Sequence, residues 1–396
     1  MLNLFRKYRI YADYASAPPV LLQALAAMRE AEEYRGNPGA LHKEGVAAKQ
    51  ALEDARARIA SILGVKSREL VFTSGLTEAN NLAIVGYARH MERVHRGLEK
   101  THWIVSAIEH DSVLECFAEI ERLGGNVSYA QPNEHGVIQP QEIEKLLKPE
   151  TVFVSVGWAN NEIGVVQPIG KIAQVLRKYE ATHTSIIAFH SDAGQAPLYL
   201  STVVSSLGVD FLSLGANKLY GPHGIGALYI STRAQLGSVL VGGAQERGLR
   251  AGTESVVLAV GFAQAFEVVA GERETESRRL EVLRNALVKV LTTGIEGLIV
   301  NGDLKHALPH MLNISVPNIS SEYIVLALDK EGIAISTKSA CRESEEASHV
   351  VTALGGEQWR AKNTLRISLG RETSESDISR IAETLSKAVA SYQAFK

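Results

Sequence analysis

A chain of 396 residues, 45% hydrophobic and 21% charged with a formal net charge of -3, has the apolar material for two to three ordinary domains or for one large α/β core with an appendage. That balance excludes a globally basic nucleic-acid footprint and a membrane-coating surface. Two cysteines, Cys116 and Cys341, exclude a disulfide framework; with no apolar signal core in residues 1–9 and no run of about 18 apolar residues, a cytoplasmic location is expected.

A short strand over Tyr8 to Ala12 leads through Asp13-Tyr-Ala-Ser-Ala-Pro-Pro19 into an amphipathic helix from about Val20 to Glu33. Asn37-Pro38-Gly39 breaks the chain, and a second helix from about Glu44 to Leu63 stops at Gly64. Next come the apolar run from Glu69, the turn Thr73-Ser-Gly-Leu-Thr77 and a further helix. Small residues at such a turn let helix-start amides approach an anion, and Thr73, Ser74 and Thr77 add hydroxyls, although any strand-to-helix unit can carry a turn of this kind. The unit recurs at Trp103 to His110, Thr151 to Gly157 and Ser185 to His190, each running into a turn or helix. Short β-rich runs alternating with helices predict an α/β fold with a mainly parallel sheet, whose functional groups collect at the carboxyl ends of strands.

Phe211 to Leu214 is another apolar run, and Lys218 follows it directly, before Gly221-Pro222-His223-Gly224. A lysine held on such a constrained turn suits Schiff-base chemistry, because desolvation favours its neutral, nucleophilic form. A surface lysine at the start of a loop is the plainer reading. Val241 to Thr253 is a glycine-rich loop with two arginines, suited to an anion or a subunit interface. A long helix over about Ser255 to Thr293, with a solvated charged face at Gly271 to Arg279, bridges to an α+β C-terminal part. That part holds strands His310 to Val316, Gly332 to Ser336 and Thr364 to Leu369 and helices at about Ser321 to Leu328 and Ser374 to Gln393.

The strand ends assemble a chemistry. An aldehyde cofactor with a phosphate and a pyridine ring needs an imine lysine, an acid for the ring nitrogen, a donor for the phenolic oxygen and a phosphate cradle. Lys218, Asp192, Gln195 and the turn Gly75 to Thr77 supply these types, and His110 suits ring stacking or proton relay. Plainer uses remain open, with Asp192 as a helix cap, His110 as a structural histidine and Asn160-Asn161 as a turn. Cys116 sits in a helical pattern as a small hydrophobe, whereas Cys341 lies in a polar loop beside Lys338 and Arg342, opposed by Glu343, Glu345 and Glu346. Arg366 on a strand suits a bidentate clamp on a substrate carboxylate. A thiolate, an imine lysine and a carboxylate clamp together suggest attack on the side-chain sulfur of an amino acid.

The segments Phe72-Thr-Ser-Gly-Leu-Thr-Glu78, Glu109-His110, Asn160 to Gln167, Asp192-Ala-Gly-Gln195, Lys218 to Tyr229, Arg247 to Thr253, Ser339-Ala-Cys341 and Arg366 to Arg371 resemble the cysteine desulfurases of the NifS/IscS-like group. These lie in the class V aminotransferase family of fold-type I pyridoxal-phosphate enzymes. The resemblance covers nearly the whole chain. It implies a seven-stranded-type sheet in a large domain over 15–262 and a smaller domain from 1–14 and 263–396. It implies conversion of L-cysteine to L-alanine in a homodimer, with pyridoxal 5'-phosphate as cofactor and no metal. The cofactor would be bound by Gly75, Leu76, Thr77, His110, Asn161, Asp192, Gln195, Asn217 and Lys218, and by Thr253 of the other subunit. Asn37 and Arg366 would face the substrate. Lys218, His110 and the persulfide carrier Cys341 would be catalytic, with sulfur passing to an acceptor protein of iron–sulfur cluster assembly or tRNA thiolation.

The chain departs from the family pattern in places. Gly215-Ala-Asn-Lys218 stands where a serine and a histidine usually precede the lysine, and Leu76 where alanine is common. The segment from Asn37 to His42 is one residue short, and the cysteine loop carries three glutamates. Two further readings follow. On the same fold a selenocysteine lyase or another pyridoxal-phosphate-dependent elimination or transamination is possible, and a cofactor-poor sulfur-assembly scaffold belongs to another class.

Overall fold

The computed structural model describes residues 8–183, 186–337 and 347–394. It begins with β1 (Ile10–Tyr11), α1 (Leu22–Ala31) and α2 (Lys43–Leu63), followed by β2 (Leu70–Thr73) and α3 (Leu76–His95). Then come β3 (His102–Ser106), α4 (Asp111–Arg122), β4 (Asn126–Ala130), α5 (Pro140–Leu146), β5 (Thr151–Ser155), α6 (Ile169–Thr182), β6 (Ala188–Asp192), β7 (Phe211–Gly215) and β8 (Gly226–Ile230). The helix α7 (Val256–Gly294) leads to β9 (Ile299–Val300), β10 (Met311–Ser315), α8 (Ser321–Lys330), β11 (Ile333–Ala334), α9 (His349–Ala353), α10 (Gln358–Lys362), β12 (Thr364–Ser368) and α11 (Glu375–Ala394).

Seven strands form one sheet in the order β2-β8-β7-β6-β5-β3-β4. Its pairs are parallel except that β8 runs against both β2 and β7. All residues of β3 and β7 are buried, because helices cover both faces; such strands read as continuous apolar runs rather than alternating ones. On one face Tyr87, Trp103 and Phe153 pack with ring centroids 5.1 to 5.9 Å apart, and Phe211 stacks 6.0 Å from Phe153. These rings seal α3 and α4 to the sheet. The other face is covered by α2, α6 and the first half of α7 through residues such as Ile59, Leu176, Phe262 and Phe266.

The expected helix boundaries hold where a cap enforces them. α2 stops because Gly64 adopts φ 67°, ψ 35° and turns its amide back to Ala60 and Ser61, the left-handed cap that glycine takes without a Cβ penalty. α7, with Ser255 as N-cap, spans 39 residues, about 58 Å at 1.5 Å per residue. Its far half buries Leu280, Leu283, Leu287 and Leu291 beneath the three-stranded sheet β12-β10-β9. The strand expected through His110 ends at Ser106; the chain then turns so that His110 becomes the N-cap of α4. β1 pairs in parallel with β11, Ile10 opposite Ile333, so the start of the described chain is stitched to its last third. No described helix is long and apolar enough to cross a membrane.

Candidate active site

Five strands of the large sheet deliver their carboxyl ends to one cleft of about 430 Å³, within the range of small-molecule sites. From β2 comes the turn into α3. Gly75 adopts φ 155°, ψ -176°, a conformation open essentially to glycine alone. A Cβ on the facing Gly226 would lie 2.7 Å from the Gly75 carbonyl carbon, so the close approach needs glycine at 226, while Gly75 is needed for its backbone conformation. The amides of the first turn of α3 have no intrahelical acceptor and face an anion-favouring end of the dipole. Gly75, Leu76 and Thr77 all line the cleft.

From β7 comes Lys218. It closes a short 3-10 turn over Ala216–Lys218, fixed by Leu219 and Gly221 amides that both bond Ala216 O at 2.8 and 2.9 Å. Its Nζ donates to Ala15 O at 3.0 Å and Ser16 O at 2.6 Å. Gln195, after β6, donates from Nε2 to the same Ala15 carbonyl at 2.8 Å, while its Oε1 is buried without a partner. Asp192, the last residue of β6, accepts from Gly194 N at 2.8 Å and from Asn80 Nδ2 at 2.7 Å. The same Asn80 amide donates to Ser112 Oγ at 2.9 Å, and that hydroxyl lies 2.9 Å from His110 Nδ1. A polar chain thus joins Asp192 to His110.

His110 Nδ1 accepts from Ser112 N at 3.1 Å, which places the proton of a neutral ring on Nε2. Burial pushes the imidazolium down, and the Asp192 carboxylate pulls the other way. The plainer reading holds for His110, which caps α4, but not for Asp192, which closes a local turn with Gly194 while Gln195 stands at the helix start. Both nevertheless line the cleft.

Arg366, on β12 and 2% exposed, donates to Asn161 O at 2.9 Å, Asp13 Oδ1 at 2.8 Å and Ser16 Oγ at 2.6 Å; its Nε is buried without a partner. Asn161 and Asn217 line the cleft with it. Asn37 and Thr253 do not. Asn37 is exposed, with Oδ1 accepting from Gly39 N at 2.8 Å. Thr253 is also exposed, in a hollow shared with Ser74 and Gly224, two residues that border the main cleft.

Cys341 lies outside the described residues, as do Lys338, Arg342, Glu343, Glu345 and Glu346. The described residues on either side of that segment are tied to the cleft. Ser336 and Arg366 exchange backbone bonds at 3.1 and 2.7 Å. Ser348 Oγ donates to Glu162 Oε2 at 2.5 Å, and His349 Nε2 lies 3.0 Å from Glu109 O. Cys116, by contrast, is buried in α4, and burial pushes its thiol up to about 12.

Sequence reasoning missed the Ala15-Ser16 carbonyls, the relay through Asn80 and Ser112, and Glu109. A run of small residues before Pro18-Pro19 was the signal for the first, and the Glu78-Ala-Asn-Asn81 face of α3 for the second. Glu109 accepts from Gly157 N at 2.7 Å, and burial, with a smaller contribution from Asp192, pushes its carboxyl up to about 8. A raised folded value stabilises the protein fully below the ordinary 4.5 and loses that contribution as pH rises through about 8. Glu109→Gln is therefore expected to gain stability over the parent progressively across that window, read as thermal midpoints against pH. Parallel midpoint curves would contradict the assignment.

The profile of the family described as "Aminotransferase class-V" matches residues 10–381. "Cysteine desulfurase IscS" of Dictyoglomus turgidum is 36% identical over 97% of this chain and 95% of its own length. A solved "NIFS-LIKE PROTEIN" superposes with a TM-score of 0.88 at 31% identity, covering 97% of this chain and all 100% of its own. A structure described as "SspA in complex with cysteine" has a TM-score of 0.78 at 34% identity, with 91% and 98% of the two chains covered.

Proposed function

Because this chain belongs to the aminotransferase class-V family, we infer that it is a cysteine desulfurase, converting L-cysteine to L-alanine and passing the sulfur through Cys341 to an acceptor protein. The observation that carries the reading is the convergence of Lys218, Asp192, Gln195, His110 and Arg366 on one cleft. The cleft suits pyridoxal 5'-phosphate on its own geometry. A helix start stands at one end, a carboxylate in the middle, and a buried Gln195 Oε1 without a partner beside Lys218.

When bound, pyridoxal phosphate supplies an electron sink that labilises bonds at the substrate Cα. The Gly75, Leu76 and Thr77 amides with Asn217 would hold its phosphate, Asp192 its pyridine nitrogen, and Gln195 its phenolic oxygen. Asn161 lies beside it. His110 would cover the ring. Lys218 would tether the group and, as a free amine once substrate has bound, would take the Cα proton. To do so its Nζ must leave the Ala15 and Ser16 carbonyls, to which it donates at 3.0 and 2.6 Å. Arg366, already held by Asp13 and Asn161, would present its guanidinium to the substrate carboxylate.

Cys341 then attacks as thiolate. A bond forms between its Sγ and the substrate sulfur, the substrate Cβ–S bond breaks, and the electron pair stays with Cβ, which takes a proton; return of the Cα proton from Lys218 completes alanine. His110 Nε2–H would move the proton that Cβ takes. Transfer of the persulfide sulfur to an acceptor of iron–sulfur assembly, the process suggested by a relative named IscS, or of tRNA thiolation completes the cycle.

Thr253 and Asn37 act in this reading on a partner's cleft, across a homodimer in the cytoplasm. Leu41 and Val241, 97% and 79% exposed, stand on the two loops that carry Asn37 and Thr253, which supports an apolar face there. The parallel pairing of β1 with β11 supports a small domain of residues 1–14 and 263–396 beside a large one of 15–262. Cys341→Ala is expected to bind the cofactor as the parent does while losing cysteine-dependent sulfide release. Full sulfide release by that variant would overturn the assignment of Cys341.

A further inference from the structure

After β1 the chain enters the cleft through a turn over residues 13–16, in which Ser16 N bonds Asp13 O at 3.1 Å. The turn is held in register on β12, because Tyr14 N bonds Ser368 O at 3.3 Å and Ala15 N bonds Ser368 Oγ at 2.9 Å, two residues beyond Arg366. That register brings two side chains of the turn onto one nitrogen: Arg366 Nη2 donates to Asp13 Oδ1 at 2.8 Å and to Ser16 Oγ at 2.6 Å. A guanidinium carries five N–H groups, two on each η nitrogen and one on Nε. Both Nη2 hydrogens are therefore taken within the protein. Nη1 gives one of its own to Asn161 O at 2.9 Å, and Nε is buried without a partner.

A carboxylate held bidentately takes parallel N–H bonds from two neighbouring nitrogens, either Nη1 with Nη2 or Nε with Nη2. Each fork needs an Nη2 hydrogen, so such a ligand must displace Asp13 or Ser16. Asp13 is a charged acceptor and does not line the cleft, whereas Ser16 is neutral and does. We propose that Ser16 is an affinity-setting residue for the amino-acid substrate, its hydroxyl oxygen standing in for a substrate carboxylate oxygen at Arg366 until substrate displaces it. The proposal rests on the cysteine desulfurase reading given above. Removing the hydroxyl leaves an Nη2 hydrogen open to the carboxylate with no internal bond to break, a gain of about tenfold for one charge-assisted bond. The Ser16 carbonyl, which accepts from Lys218 Nζ at 2.6 Å, is backbone and stays in place when the side chain is cut back.

The test titrates the full-length holoenzyme with L-alanine and separately with ethylamine, which lacks the carboxylate, following the visible absorbance of the cofactor. Ser16→Ala is expected to bind L-alanine about tenfold more tightly than the parent and ethylamine no more tightly. Its KM for L-cysteine falls while kcat does not rise, as expected for a change in ground-state binding. Ser16→Thr, which keeps the hydroxyl, gains no affinity for either ligand. Circular dichroism of each variant establishes that it is folded. The proposal is overturned if Ser16→Ala binds L-alanine no more tightly or more weakly than the parent, if ethylamine gains equally, or if Ser16→Thr gains as much as Ser16→Ala. A cofactor-loaded parent that responds to neither L-alanine nor L-cysteine overturns the amino-acid reading itself, and the proposal with it, which separates the two failures.

Discussion

Lys218→Ala is expected to lower cysteine-dependent sulfide release by about 10³-fold or more while leaving the protein folded. The magnitude follows from removing a nucleophile and a proton carrier together, where general acid–base catalysis alone contributes roughly 10² to 10⁴. The fold survives because the side chain's bonds to Ala15 O and Ser16 O are each worth about 1 kcal/mol. Lys218→Arg should be as inactive, since a guanidinium neither loses its proton nor adds to a carbonyl at neutral pH. Single-turnover assays with thermal midpoints on the same samples check both halves. Activity of either variant within tenfold of the parent would remove Lys218 from the chemistry.

Breaking the Arg56–Glu246 pair is expected to be the largest single-residue loss of stability. The two groups meet in a fork, Nη1 to Oε2 at 2.8 Å and Nη2 to Oε1 at 2.7 Å, with side chains 4% and 1% exposed. Glu246 Oε2 also accepts from Phe72 N at 2.9 Å, and the guanidinium lies 4.5 Å above the Phe72 ring. Removing Arg56 leaves the buried Glu246 carboxylate without its ion pair, at about 3–5 kcal/mol, whereas removing Glu246 leaves the guanidinium only Glu53 at 3.2 Å and Leu70 O at 3.2 Å. The pair has a second task. Glu246 and Arg247 both adopt left-handed backbone, with φ 47° and 59°, each costing roughly 1–2 kcal/mol for a non-glycine residue. Their turn sets the course of the loop that carries Arg250 to Glu78, at 2.9 Å, and leads on to Thr253. Glu246→Ala should therefore lower the urea midpoint and also the cofactor affinity, whereas a surface pair such as Lys387–Glu383, whose side chains are 72% and 65% exposed, should change neither when broken. A loss below about 1 kcal/mol would contradict the account.

Much of the architecture was readable because burial on both faces of a parallel sheet leaves short continuous apolar runs. β3, β5 and β7 are such runs, and each is followed by a polar residue that reaches the cleft. His110, Asp192, Gln195 and Lys218 could be placed together for that reason, whereas Arg366 lies within β12 of the three-stranded sheet and was read separately as a carboxylate clamp. β8 was harder: nothing in Gly226-Ala-Leu-Tyr-Ile230 tells a parallel from an antiparallel strand, and the short turn after Lys218 decides it. The Ala15-Ser16 carbonyls lie about 200 positions from Lys218 in sequence, beyond any local pattern. The same holds for Asn80 reaching Asp192 and for Ser348 reaching Glu162.

The most direct test of the central claim is the amino-acid product formed from L-cysteine, measured together with the sulfur released by the same sample. Alanine appearing in equal amount to sulfur, with no pyruvate, is the predicted result. Pyruvate and ammonia in place of alanine, or no turnover in protein saturated with pyridoxal phosphate, would contradict it.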